Sequence, residues 1–176
     1  MTDLILPLVD EKDPFLREVP EIFDFDNPQV DSEKLEDQLI ENMIHYRGIG
    51  LSATQIGIPI TAFAMISDGQ PFVVINPKIL EWSDDTEHMK EGCLTFPHLY
   101  FSVSRSASIS TRFQFADGQE QQGAFKGMSA RIFQHEMGHM KGELFIDIIS
   151  GFKLKSAMRK RKLKIRKLKN QKEQYE

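Results

Sequence analysis

A chain of 176 residues with 40% hydrophobic and 27% charged side chains suffices for one ordinary globular core and is too short for two. Only 19 residues are Gly or Pro, which excludes collagen-like repeats and wholesale disorder. No apolar run approaches the roughly 18 residues of a membrane span, and the acidic N-terminus has neither signal-peptide nor transit-peptide character. The formal charge of −4 hides a division: residues 153–176 hold 11 Lys/Arg against two Glu, a net +9, whereas residues 1–152 hold 11 basic against 24 acidic residues, a net −13.

Leu35, Leu39, Met43 and Tyr46 recur at spacings of 4, 4 and 3, which predicts a helix over residues 31–46 with one apolar face. Asp31 or Ser32 is placed to cap its first amides, and Gly48 suits a left-handed C-cap. From Ile58 to Pro77 run short segments rich in Ile, Val and Phe, broken by the turn signal SDGQP. Residues 99–125 alternate in part, with ADGQ at 116–119 as a second hairpin signal. Helical periodicity returns with Met128, Ile132, His135 and His139 and stops at Gly142. There are no internal repeats, and strands followed by a helix without βαβ alternation predict an α+β fold. In the basic tail Leu154, Met158, Ile165 and Leu168 lie near one helical face that Arg161 shares. Two readings of this tail stay open: a solvated helix packed lightly on the body, or a helix that docks on a polyanion.

The chemistry concentrates in three segments. His135-Glu136-Met137-Gly138-His139 is HExxH, whose two histidines at i and i+4 share a helix face and can reach one metal ion, with Glu136 beside the open coordination place. A catalytic site of this kind needs a third protein ligand. The extended pattern HExxHxxGxxH ends here on Phe145, which cannot bind metal, and after Asp147 no acid occurs before Glu173. Upstream stands Cys93 in EGCLTFP, the chain's one thiol. A lone Cys can be a small buried hydrophobe, but Gly92 and Pro97 flank a segment that cannot be plain strand. With no second cysteine there is no internal disulfide, and the expected compartment is the cytoplasm. The third segment, GIGLSATQIG at 48–57, lets backbone approach a ligand closely and carries Gln55, which is both donor and acceptor. It lacks the Lys-Ser/Thr ending of a phosphate loop.

Together GIGLSATQIG, EGCLTFP and QHEMGHMKGELFID resemble, in order and spacing, the three motifs of peptide deformylases, usually GxGLAAxQ, EGCLS and QHExDH. The similarity extends over about residues 28–148. It implies a metal-dependent hydrolase that removes the formyl group from N-terminal formylmethionine of nascent polypeptides and releases formate. Carried over position by position, it makes Cys93, His135 and His139 the metal ligands and Glu136 the general base. The Gln55 side-chain amide and the Leu94 backbone N–H become the donors to the oxyanion. Ile49, Gly50, Gly92, Met128 and Ile132 are the candidates for holding the substrate, with ordinary core packing the competing reading for Met128 and Ile132. The implied ion is one Fe(2+) in cells, replaceable by Zn(2+), Ni(2+) or Co(2+). The implied partners are a formyl-methionyl peptide and, through the basic tail, the ribosome; no membrane or DNA is expected.

The sequence departs from the family pattern at Ser52, Thr54, Thr95, Gly138 and Met140. Gly138 replaces an Asp, so Arg105, the expected partner of that Asp, needs another; Glu91 is nearest by motif. The expected architecture is short antiparallel strands around a central helix carrying HExxH, with a catalytic domain over 1–152 and a basic helical tail over 153–176. An HExxH peptidase and a metal-binding protein without activity are the alternatives. The missing downstream ligand disfavours the first, and the intact set Cys93, His135, Glu136 and His139 disfavours the second.

Overall fold

The structure, a computed structural model, describes residues 4–173 and side chains as far as residue 171. Its elements are α1 (Ser32–His45), β1 (Gly50–Ser52), β2 (Ala62–Ser67), β3 (Gln70–Trp82), β4 (Thr86–Gly92), β5 (Tyr100–Ser106), β6 (Ser108–Gln114), β7 (Glu120–Lys126), α2 (Gly127–His139) and α3 (Gly151–Glu173). Short 3-10 turns occupy Pro14–Arg17 and Ala53–Ile56. One antiparallel sheet has the order β1-β2-β3-β6-β7, and β4 pairs with β5 in a separate antiparallel ribbon. The fold is α+β, with antiparallel sheets and a C-terminal helix.

The middle of the large sheet is covered on both sides, which is why its sequence shows apolar runs rather than clean alternation. Phe63 and Met65 of β2 and Val74 of β3 meet Ala130, Ile132 and Phe133 of α2 on one side. Ala62, Ala64, Val73 and Ile75 meet Leu35, Leu39 and Met43 of α1 on the other. Both helices are thereby fixed by the same two strands.

Asp31 caps α1 by accepting from Lys34 N–H at 2.8 Å. At the other end the left-handed residue is Arg47 (φ 56), not Gly48. Arg47 N–H donates to Ile44 O and Gly48 N–H to Met43 O, each at 2.9 Å. A non-glycine residue there costs about 1–2 kcal/mol. The glycine answers a different need, since a Cβ on Gly48 would lie 2.8 Å from Leu94 Cδ1. Tyr46, expected on the apolar face, is the cap residue and donates its hydroxyl to Leu6 O at 2.7 Å.

The SDGQP signal is the β2–β3 hairpin, with Asp68 and Gly69 both at positive φ. The ADGQ signal is the β6–β7 loop, with Gly118 at φ 81. Strand β3 runs beyond Pro77 to Trp82 because its pairing with β6 shifts register between Ile75 and Lys78, where a residue without N–H breaks no ladder bond. The HExxH helix stops as the glycine suggested: Gly142 is at φ 68, Gly142 N–H reaches His139 O, and Glu143 N–H reaches Gly138 O at 2.9 Å.

A third apolar cluster joins Leu16, Cys93, Phe96, Leu99, Leu144 and Phe145, and the first turns of α3 cover it with Leu154, Ala157 and Met158. Beyond Arg161, α3 is largely exposed, including Leu163 and Leu168.

Candidate active site

Three segments converge on one place. Cys93 leaves the end of β4 and enters a turn closed by Phe96 N–H to Cys93 O at 2.9 Å. His135 and His139 lie on the last turns of α2. Gln55 sits in the 3-10 turn after β1. Among the described residues, Cys93, His135 and His139 form the group of His, Cys and carboxylate side chains that could hold a metal, with all ligand atoms within 4.8 Å of one another. Two ligands of one tetrahedral ion, sulfur at about 2.3 Å and nitrogen at about 2.1 Å, stand about 3.6 Å apart. Cys93 Sγ and His139 Nε2 are 3.5 Å apart, so the donor set fits a soft-to-borderline divalent ion. Phe145 packs its ring against His135 (centroids 5.8 Å), so the last position of the extended HExxHxxGxxH pattern is part of the apolar backing.

The electrostatics of the three groups are coupled. Burial opposes a charge on Cys93, yet His139 and His135 outweigh it and hold the thiol well below its ordinary range. Burial likewise opposes a proton on His135, but hydrogen bonds to Cys93 and Glu91 push it up to about 10. Both shifts favour a deprotonated sulfur on Cys93, and a divalent ion held here would need His135 as the neutral imidazole.

Glu91 orients the first histidine. Its Oε2 lies 3.3 Å from His135 Nδ1. Arg105 grips the same carboxylate through Nε at 2.6 Å and Nη2 at 2.8 Å, and Arg131 Nη1 adds a third donor. Burial alone would raise the Glu91 carboxyl, but the bonds from His135 and Arg105 hold it at about 2. Arg105 therefore has the partner that its motif position suggested. His139 differs: its Nδ1 is buried with no hydrogen-bond partner among the described residues, so the ring is held by packing and by the contact of its Nε2 with Cys93 Sγ.

Gln55 Nε2 lies 3.3 Å from Cys93 Sγ and donates to Thr95 Oγ1 at 3.0 Å, while its Oε1 accepts from Ser52 N–H at 2.9 Å. Glu136 is 3% exposed. Burial raises its carboxyl above the ordinary range, against the lowering effect of His135, His139 and a hydrogen bond from Ser52. That is the direction a group needs if it is to take a proton and return it near neutral pH.

A cavity of about 600 Å³ opens over these groups. Ile49, Gly50, Gly92, Met128 and Ile132 all line it, as do Gln55, Leu94, Glu136, Cys93 and His135; His139 is buried and does not reach its wall. Ile132 lines the cavity and also packs in the cluster between α2 and the sheet. Sequence reasoning missed Arg131 and the reach of Ser52. Arg131 had a signal, as a cation one helical turn before His135 on the same face. Ser52 had none, because its partner is 84 residues away.

A family profile described as polypeptide deformylase matches residues 5–155. A peptide deformylase of Thermotoga petrophila is 44% identical over 118 residues, covering 67% of this chain and 72% of that protein. The crystal structure of peptide deformylase from Thermotoga maritima superposes with a TM-score of 0.78 at 37% identity, covering 83% of this chain and 98% of that one. The crystal structure of a peptide deformylase from Synechococcus elongatus in complex with actinonin superposes with a TM-score of 0.82 at 30% identity, covering 92% and 88%.

Proposed function

Because the chain belongs to the peptide deformylase family, and so is a metal-dependent hydrolase that removes the formyl group from formyl-methionyl nascent polypeptides, we propose that Cys93, His135 and His139 hold its ion and that Glu136 is its general base. The observation that carries this is the three-donor cluster beside the cavity with Glu136 on the wall. Fe(2+) is the ion we assign in cells, with Zn(2+), Ni(2+) or Co(2+) able to take its place on a Cys-His-His set. When bound, the ion acidifies a water molecule and polarises the formyl carbonyl.

The protein's own groups do the rest. The methionine side chain enters the cavity between Ile49, Met128 and Ile132, with Gly50 and Gly92 giving the peptide backbone close approach. Glu136 takes the proton from the attacking water. As charge develops on the formyl oxygen, Gln55 Nε2 and the Leu94 N–H donate to it, each such donor being worth about 3 kcal/mol. Leu94 N–H has no intramolecular acceptor among the described residues and is free for this task. Glu136 then delivers its proton to the leaving amine as the C–N bond breaks, and formate departs. Replacing Glu136 by Gln keeps shape and removes the acceptor: bound metal should stay at one per chain while formate release from formyl-Met-Ala-Ser falls by at least about 10². Near-normal turnover in that variant would move the base elsewhere.

Residues 1–152 are the catalytic domain in this reading, and 153–176 a basic helical tail that docks on ribosomal RNA where nascent chains emerge in the cytoplasm. No helix among the described residues is long and apolar enough to cross a membrane. Leu154, Ala157, Met158 and Arg161 are packed on the body, so the docking surface is the exposed remainder of α3. Truncation after Arg161 should leave turnover of a short formyl peptide intact and abolish cosedimentation with ribosomes. In the full chain that cosedimentation should weaken in KCl with a log–log slope of about −0.7 to −0.9 per phosphate contacted. Salt-sensitive ribosome binding by the truncated protein would sink the docking role.

A further inference from the structure

Ser52 stands where the three-motif pattern usually has Ala, and the fold puts its two polar groups to work. It is fully buried. Its Oγ donates to Glu136 Oε2 at 2.7 Å, and its backbone N–H donates to Gln55 Oε1 at 2.9 Å. One residue thus holds both the carboxylate and the amide that face the reacting group, although it contributes nothing to the metal cluster and does not line the cavity.

The two carboxylate oxygens of Glu136 are consequently unlike. Oε2 is tied inward to Ser52. Oε1 lies against Gly50, so close that a Cβ on Gly50 would stand 2.5 Å from it, and Gly50 is a wall of the cavity. The terminal torsion of a glutamate is broad and roughly two-fold, so an unpinned carboxylate would exchange its oxygens and swing off axis. A buried hydroxyl bonded to an ionised group is among the stronger single hydrogen bonds and is enough to select one orientation.

We propose that Ser52 is a positioning residue for the deformylation reaction: it pins Oε2 of Glu136 so that Oε1 alone receives the water proton and returns it to the leaving nitrogen, while its N–H turns the Gln55 amide donor toward the substrate oxygen. The proposal rests on Glu136 being the base. In each turnover the water oxygen bonds to the formyl carbon and its proton passes to Oε1; the C–N bond then breaks and the same proton goes to the amine. Ser52 exchanges no proton with the substrate. It restricts where that transfer happens, so its contribution belongs to kcat rather than to substrate binding.

The test is a double-mutant cycle on metal-loaded protein with formyl-Met-Ala-Ser. Ser52→Ala should lower kcat about tenfold and leave KM and bound metal within about twofold, the loss expected for one hydrogen bond to a charged group. In a Glu136→Asp background, whose shorter side chain does not reach Ser52, the same Ser52→Ala change should alter kcat by less than about twofold. Unchanged kcat in Ser52→Ala, an equal loss in both backgrounds, or a rise in KM in place of a fall in kcat would each overturn the proposal. Failure of the underlying reading has a separate signature, full turnover by Glu136→Gln.

Discussion

The two helices that follow the last strand treat their polar side chains in opposite ways. Helix α2 buries Arg131, Gln134, Glu136 and His139 within 13 residues, and gives each a partner: Glu91, Ser106 O, Ser52 and Cys93. Helix α3 carries most of the basic tail and leaves it in solvent, with Arg161 the buried exception, bonded to Pro97 O at 2.7 Å and to both oxygens of Glu11. A buried polar or charged group is tolerated only with partners, so each one on α2 reports a second segment brought to the same place. An exposed charge reports nothing about the fold and is free to meet something outside it.

The largest effect should come from Glu91, where the contrast is sharpest. Glu91→Gln keeps the shape of the carboxylate but leaves the Arg131 and Arg105 cations without a counter-charge, at a cost of about 3–5 kcal/mol in urea unfolding. It also loosens His135, so metal affinity should fall about 10- to 100-fold in a chelator competition. A variant with full stability and full affinity would mean that the network is incidental. Arg161→Met comes next. It removes the clasp between α3 and the Cys93 turn and should cost about 1–3 kcal/mol, because the Pro97 carbonyl and Glu11 lose a charged donor. Charge reversal at the exposed Lys164 should shift stability by less than about 0.5 kcal/mol. Equal losses at Arg161 and Lys164 would erase the distinction between the packed and the free parts of α3.

How much of this was readable in advance follows the range of each interaction. The helix over 31–46, both hairpin signals and the HExxH helix were legible because periodicity and turn chemistry act within a few residues. The meeting of Cys93, Gln55 and the two histidines was legible for another reason: they lie in three short motifs whose order and spacing resemble those of one family. Placement beyond that range was not legible. Nothing local says that Arg47 and not Gly48 takes the left-handed conformation, since Gly48 is required by Leu94, 46 positions away. Ser52 looked like a small change from Ala until the fold brought it to Glu136. Pro77 looked like a strand end and is a bulge, because β6 accommodates the shift.

Gly138 offers a smaller effect at the active-site end of α2. It lies in the helix with ordinary dihedrals, and an added Cβ would meet Glu143 O at 3.4 Å, so the space is nearly sufficient. Gly138→Ala should raise stability by about 0.5–1 kcal/mol and leave kcat unchanged. A fall in stability would show that the Glu143 carbonyl cannot yield. The smallest effect lies between the two helices at Asp147, whose carboxyl the Arg17 hydrogen bond holds below the usual range. A carboxyl lowered on folding stabilises the protein above its unfolded pKa and loses that contribution as pH falls through the folded one. The pair is half exposed, so Asp147→Asn should flatten only slightly the acid side of a Tm-versus-pH curve and leave Tm at pH 7 little changed. An acid limb wholly unchanged in Asp147→Asn would show that the Arg17 pair contributes nothing to it.

The central claim is that Cys93, His135 and His139 hold one catalytic ion. Anaerobic titration of the apo-protein with Fe(II), read as formate released from formyl-Met-Ala-Ser, tests it directly. The account predicts activity that rises from near zero and saturates at one ion per chain, with no such rise in Cys93→Ala; full activity in the apo-protein, or an identical titration in Cys93→Ala, would contradict it.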